Sequence, residues 1–248
     1  MNDIKKIAVL GCFRSGTNYS KTLLESNFHC EVKNNIFGWK HGFLPIISND
    51  STVNYNVDFD AAYFVTKNPF SFLVSLHKYF VQAKLNIKAK TEFNDFVTSK
   101  IVVFDGGNPD SVELRFSSPL ELWNALNWNY ASHKNLIHVR YEMLLKTPKI
   151  TCNKLASRLG VETKGNTFVT PKNIVKRMND KQGYADIKAM ETGQKFKSNQ
   201  YLDNTYMSQF NADLRAFVIK NVDEELIERL GYKDMLNELL ESPLDECQ

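Results

Sequence analysis

Short apolar runs, each closed by a turn and followed by a helix-like stretch, set the pattern of this chain. Ile7-Ala8-Val9-Leu10 is the first, with the composition of a strand buried on both faces of a parallel sheet. A turn over 11–16 follows, and residues 17–27 predict a helix that points Leu23 and Leu24 inward. A second strand is expected at 30–34, leading into 36–43. The third is the clearest: residues 61–66, ended by Lys67-Asn68-Pro69, then an amphipathic helix over 71–83. Pro69 fits the first turn of that helix, where its missing N–H costs nothing. A loop at 105–109 (Asp-Gly-Gly-Asn-Pro), a helix over 119–132, a fourth strand at 135–139 and a helical start at 142–145 come next.

Residues 164–204 have weak periodicity and many lysines, and predict a long surface segment with short helices. Residues 206–240 read as helical, with Gly231 a C-cap between two helices. Strands alternating with helices predict an α/β fold: a three-layer, open, mainly parallel sheet with helices on both faces. In such sheets ligands sit beyond the carboxyl ends of the strands, where residues 11–18, Lys67 and Arg140 fall.

Length and composition narrow the classes. A chain of 248 residues with 43% hydrophobic content has the material for a continuous core, and 1–248 reads as a single domain. The net charge of +3 gives no basis for a nucleic-acid partner, which calls for a basic stripe or tail. The four cysteines, Cys12, Cys30, Cys152 and Cys247, are scattered, with no zinc spacing and no disulfide framework. No apolar stretch approaches the ~20 residues of a membrane span, and the amino terminus lacks a signal sequence, so a cytoplasmic location is expected.

The chemistry concentrates in Gly11-Cys12-Phe13-Arg14-Ser15-Gly16-Thr17-Asn18-Tyr19, which follows a strand and opens a helix. Glycines at both ends of such a turn let the backbone curl until several N–H groups face one anion, helped by the positive end of the helix. Arg14, Ser15 and Thr17 add a cation and two hydroxyls. A nucleoside-triphosphatase loop places Lys and then Ser/Thr after its second glycine, the latter binding Mg²⁺. Thr17 and Asn18 stand there instead. The expected site therefore has no metal.

Phe13-Arg14-Ser15-Gly16-Thr17-Asn18-Tyr19 resembles the 5′-phosphosulfate loop of the PAPS-dependent sulfotransferases (PAPS, 3′-phosphoadenosine 5′-phosphosulfate), with Phe13 in place of the common proline. Lys67-Asn68-Pro69 with Ser75 resembles the family's 3′-phosphate segment, with Lys67 where an arginine is usual, so a point charge replaces a bidentate fork. Trp39-Lys40-His41-Gly42 resembles the Lys/His pair after the second strand. Arg140-Tyr141-Glu142 and residues 226–232 resemble later segments of the family that are mainly architectural. The stretch with Lys195 and Lys197 occupies the place of the late loop over adenine and the 3′-phosphate, without its tryptophan and one glycine.

The resemblance implies a P-loop-like sulfotransferase fold and a sulfuryl transfer from PAPS to a hydroxyl acceptor, with 3′,5′-ADP as product and no metal. It implies His41 as base, with Lys40 and Arg14 balancing charge at the leaving phosphate. Arg14, Ser15, Gly16, Thr17, Asn18, Tyr19, Lys67, Ser75, Lys195 and Lys197 would hold the donor. The acceptor is expected to be a carbohydrate or another hydroxyl-bearing metabolite. A P-loop small-molecule kinase and a non-catalytic nucleotide-binding module are the alternatives.

Overall fold

The computed structural model describes residues 4–44, 58–82, 92–104, 112–171, 173–175, 191–195 and 198–241. The first half runs β1 (Lys5–Gly11), α1 (Thr17–Asn27), β2 (Cys30–Lys33), β3 (Ala61–Thr66) and α2 (Pro69–Gln82). The short α3 (Phe93–Thr98), a strand pair of β4 (Ile101–Phe104) and β5 (Glu113–Phe116), and α4 (Pro119–Ala131) follow. Then come β6 (Leu136–Arg140), α5 (Tyr141–Lys146), α6 (Pro148–Leu159), and a second pair, β7 (Asn173–Val175) and β8 (Glu191–Lys195). The described chain closes with α7 (Asn199–Leu202), a 3-10 turn (Thr205–Gln209), α8 (Ala212–Asn221), α9 (Glu224–Arg229) and α10 (Lys233–Glu241).

The central sheet has the order β2-β1-β3-β6 and every pairing in it is parallel. Alternate residues of each strand serve opposite faces, as the strand period of two demands. Ile7, Val9, Tyr63, Val65 and Val139 pack against Leu23 and Leu24 of α1 and Leu155 and Leu159 of α6. Ala8, Leu10, Ala62, Phe64 and Leu136 turn the other way, onto Phe72 and Leu76 of α2 and Trp123 and Leu126 of α4. The fold is α/β, with a mainly parallel sheet between two layers of helices. Each fully buried leucine in these layers contributes about 2 kcal/mol, so neither face can be left uncovered.

Several helix boundaries have local causes. Ser118 accepts from the Glu121 N–H at 3.2 Å with Pro119 at the first helical position, Asn211 from Leu214 at 2.9 Å and Asp223 from Leu226 at 2.9 Å. Gly231, at φ 70°, ends α9 with the Tyr232 N–H returned to the Ile227 carbonyl at 2.9 Å. Two strand pairs are among the elements that depart from the pattern read along the chain. The stretch 164–204 contains an antiparallel pair, β7 with β8, in addition to a short helix. The β4–β5 pair was not anticipated at all. The predicted loop at 105–109 lies outside the described residues.

Candidate functional site

The loop after β1 sits at the carboxyl edge of the sheet and is held there by its neighbours. The Gly11 N–H donates to the Lys40 carbonyl at 2.9 Å, and its own carbonyl meets His41 Nδ1 at 2.5 Å. Gly11 has no room for a side chain: a Cβ would lie 2.5 Å from Ser15 Oγ and 2.7 Å from the Val65 carbonyl. Gly16 is required twice over. Its φ is 98°, and a Cβ would meet the Tyr141 ring at 2.2 Å. Arg14 also lies in the left-handed region, at φ 59°, an uncommon conformation for a residue with a side chain.

This curl leaves hydrogen-bonding capacity unused. Ser15 is 1% exposed and its Oγ has no partner. A buried hydroxyl without a partner costs free energy, so a ligand that accepts from it is stabilised. Helix α1 has no side-chain cap and no acidic residue in its first turn, in contrast to α4, α8 and α9. Its first N–H groups and its positive dipole end therefore face the inside of the loop. Cys12 is buried, and desolvation pushes its thiol pKa up, so it stays protonated and packs as a small apolar group.

The other predicted loop residues fall around this curl. Thr17 is buried at the start of α1, and Asn18 Oδ1 accepts from Lys40 Nζ. Lys40 is thereby tied to the helix start. Tyr19 is half-buried, edge-on to Tyr141 at 6.1 Å, with desolvation pushing its hydroxyl up to about 12. Arg14 is exposed and its guanidinium lies over the Tyr79 ring of α2 at 5.3 Å.

His41 is oriented by two kinds of contact. A carbonyl only accepts, so the bond to Gly11 requires the proton on Nδ1. Phe13 stacks on the imidazole at 5.0 Å and Trp39 stands edge-on to both rings at 5.0 Å. The segment carrying them is anchored from α4: Tyr130 donates to the Gly42 carbonyl at 2.9 Å, and Asn129 bonds Leu44 through both its amide atoms at 2.7 Å.

Lys67 and Ser75 come together as their spacing predicts, with Lys67 Nζ donating to Ser75 Oγ at 3.3 Å. The turn beneath them is pinned by Glu142, whose Oε1 accepts from both nitrogens of Asn68 at 2.9 Å and whose Oε2 accepts from Tyr232 at 3.0 Å. Asn68 Oδ1 in turn accepts from the Ser71 N–H at 2.9 Å and starts α2, while the Trp123 indole donates to the Lys67 carbonyl at 2.8 Å.

Sequence reasoning missed what covers the lysine. Its ammonium lies 4.1 Å from the Tyr141 ring centroid and 4.3 Å from that of Tyr201, and the Tyr201 hydroxyl shares a 3.3 Å hydrogen bond with Ser75. Lys67 is 3% exposed, and desolvation lowers its pKa to about 7; Glu142 opposes this shift and Arg14 adds to it. No local signal marks Tyr201 or Tyr141 as partners of Lys67, because only the packing of α5 and α7 brings them there.

The remaining candidates separate from the site or fall outside it. Arg140, the last residue of β6, donates to the Gly231 carbonyl and lies over the Tyr232 ring at 5.6 Å, a structural role. His138 bonds Thr66 at 2.7 Å, and desolvation, followed by Arg140 and Arg158, lowers its pKa to about 4, so it is a neutral packing group. Lys195 ends β8 and Lys197 lies outside the described residues. Among the described residues no cluster of three His, Cys, Asp or Glu side chains is placed to hold a metal, and no helix is long and apolar enough to cross a membrane.

No family model and no curated protein matches this chain. Among solved structures, the crystal structure of mouse sulfotransferase SULT7A1 complexed with PAP is similar over 97% of this chain and 90% of that one, at 14% identity and a TM-score of 0.45. A likeness so distant carries no weight for the chemistry of the site.

Proposed function

We propose that this chain is a sulfotransferase that takes a sulfuryl group from PAPS and delivers it to a hydroxyl acceptor, a carbohydrate or small metabolite. The observation that carries the reading is the curl at 11–16, where a buried, unpartnered Ser15 hydroxyl and an uncapped helix start converge. These donors suit a phosphosulfate, and the places of a triphosphatase's lysine and magnesium hydroxyl are taken by Thr17 and Asn18. When bound, PAPS supplies the sulfuryl group, whose bond to the acceptor oxygen forms as its bond to the phosphate oxygen breaks, releasing 3′,5′-ADP.

The residues around the loop have distinct tasks. Ser15, Thr17 and the first N–H groups of α1 hold the 5′ end and absorb charge that grows on the leaving phosphate. Lys40, fixed to Asn18 at the helix start, adds a cation there, and Arg14 a second at the loop's exposed rim. His41, its ring oriented by Gly11, Phe13 and Trp39, receives the acceptor's hydroxyl proton. Lys67 and Ser75 take the 3′-phosphate.

Calorimetry with 3′,5′-ADP and transfer from radiolabelled PAPS test this together. His41→Ala is expected to bind 3′,5′-ADP as the parent does while losing transfer by about 10²- to 10⁴-fold. Undiminished transfer would remove His41 as base. A chain that ignores 3′,5′-ADP but turns over Mg²⁺-ATP is a kinase instead. The acceptor is found by incubating labelled PAPS with an extract of the source cell and identifying the labelled product.

A further inference from the structure

The arrangement at Lys67 poses a problem for any anion that is to bind there. The ammonium lies against two aromatic rings, Tyr141 and Tyr201, at 4.1 and 4.3 Å, which meet each other edge to face at 5.5 Å, and the neighbouring hydroxyl of Ser75 is already bonded to Tyr201. Lys67 is 3% and Ser75 4% exposed, so a phosphate that bonds both has to take the place of a group that covers them, and the two rings are the groups against the ammonium. One of them must leave.

The two rings differ in how firmly they are held. Tyr141 is 3% exposed, lies against Gly16 of the loop and belongs to the core with Leu144 and Leu145. Its displacement would unseat the first anion site. Tyr201 is half-buried, sits on the four-residue α7, and meets the two core layers only at their margin. A helix this short has little hydrogen bonding of its own to resist movement.

We propose that Tyr201 is the specificity gate of the second anion site: its ring covers Lys67 and its hydroxyl holds the Ser75 position of a phosphate oxygen, so a ligand reaches Lys67 only by displacing it. This rests on the reading of Lys67 and Ser75 as the 3′-phosphate site. A 3′-phosphate supplies two negative charges beside an ammonium and can replace both the cation–π contact and the Tyr201–Ser75 bond. A nucleotide with a bare 3′-hydroxyl offers nothing comparable and leaves Tyr201 where it is. The gate thus sets a threshold that only a 3′-phosphorylated nucleotide passes. It also keeps the lysine from stray anions.

The experiment compares the parent with Tyr201→Phe and Tyr201→Ala by two readouts. In calorimetry, Tyr201→Phe is expected to bind 3′,5′-ADP about 2- to 10-fold more tightly, because the bond to Ser75 no longer has to be broken. Tyr201→Ala, freed of the closed state altogether, gains about tenfold or more. Binding of 5′-AMP is expected to be the same in all three. The second readout is acylation of Lys67 by an N-hydroxysuccinimide ester, followed by mass spectrometry: slow in the parent and in Tyr201→Phe, which keeps the ring, and about tenfold faster or more in Tyr201→Ala.

Weaker 3′,5′-ADP binding by both variants would make Tyr201 a ligand of the phosphate and overturn the gate. Equal acylation of Lys67 in the parent and Tyr201→Ala would overturn it as well. Failure of the donor reading looks different: no form binds 3′,5′-ADP, and the gate falls with it. Tyr201→Phe keeps the ring's packing, so a folding defect confined to Tyr201→Ala leaves the binding comparison decisive.

Discussion

In the curl at 11–16 the buried Ser15 hydroxyl has no partner, whereas at Lys67 the cation already has a hydroxyl and two rings beside it. In the first place Ser15 Oγ is buried and unpartnered and the start of α1 is uncapped. In the second, Ser75, Tyr141 and Tyr201 satisfy the lysine before any ligand arrives. On the proposed reading the first site is preorganised and binds with little rearrangement, while the second exchanges internal partners for external ones and so adds less affinity and more discrimination. Under that proposal one chain separates holding a nucleotide from choosing among nucleotides. Tyr141 joins the two, since the same ring packs on Gly16 and faces Lys67.

The strongest way to break this comparison is to damage the shared wall. Gly16→Ala places a methyl group 2.2 Å from a Tyr141 ring atom at a backbone φ of 98°. The expected result is a loss of about 2–4 kcal/mol in unfolding free energy and a fall of 3′,5′-ADP affinity by about 100-fold or more. Denaturant titration and calorimetry check it. Both sites should fail together, and retained 5′-AMP binding would show that Tyr141 does not couple them.

Lys67→Met is expected to separate stability from selectivity. Removing a desolvated cation leaves an apolar side chain between two rings, so the ligand-free fold gains about 1–3 kcal/mol. The preference for 3′,5′-ADP over 5′-AMP falls by about 10- to 100-fold at the same time. A variant that loses stability would mean that the two cation–π contacts outweigh the desolvation.

The fold was readable in the sequence where local pattern and topology agree. Ala61–Thr66 is apolar, is followed by Pro69, and forms β3 with those bounds. The β4–β5 pair was hidden because Glu113–Phe116 is four residues long, carries two charges and buries no residue fully. α6 carried readable marks, Pro148 at its start and Gly160 at φ 66° after its end, yet a helical stretch was anticipated only from 142 onward. The curl at 11–16 was legible because its parts are contiguous. Lys67 and Ser75 were legible because a strand end and the face of the helix that follows it lie close along the chain. Tyr201 is 126 residues from Ser75, and no period along the chain links them.

A change of pH sharpens the contrast without any mutation. The groups that face Lys67 are Glu142, Arg14, Ser75, Tyr141 and Tyr201, and the outcome of burial, the dominant influence, is a pKa of about 7 in the ligand-free chain. A phosphate beside the ammonium favours its charged form, so the pKa rises on binding. Above about pH 7 binding therefore takes up a proton, and 3′,5′-ADP affinity falls by up to about tenfold per pH unit. Without ligand the sign for stability is opposite. The unfolded chain holds the Lys67 proton up to its ordinary value near 10.5, so Lys67 makes the fold more stable as pH rises from about 7 to that value. Calorimetry in buffers of different ionisation enthalpy reads the proton uptake directly. A flat affinity between pH 7 and 9 would mean that Lys67 stays charged beneath the two rings.

The smallest expected effect isolates the open site. Ser15→Ala deletes one hydroxyl that has no internal partner, so the ligand-free fold should keep its stability or gain less than about 1 kcal/mol. Binding should weaken by about 2- to 10-fold, and equally for 3′,5′-ADP and 5′-AMP, because the loop meets the end that both nucleotides share. That uniformity is the diagnostic feature. A change confined to 3′,5′-ADP would place Ser15 in the selective site and erase the distinction between the two, whereas a stability loss of several kcal/mol would show that its hydroxyl bonds within the loop after all.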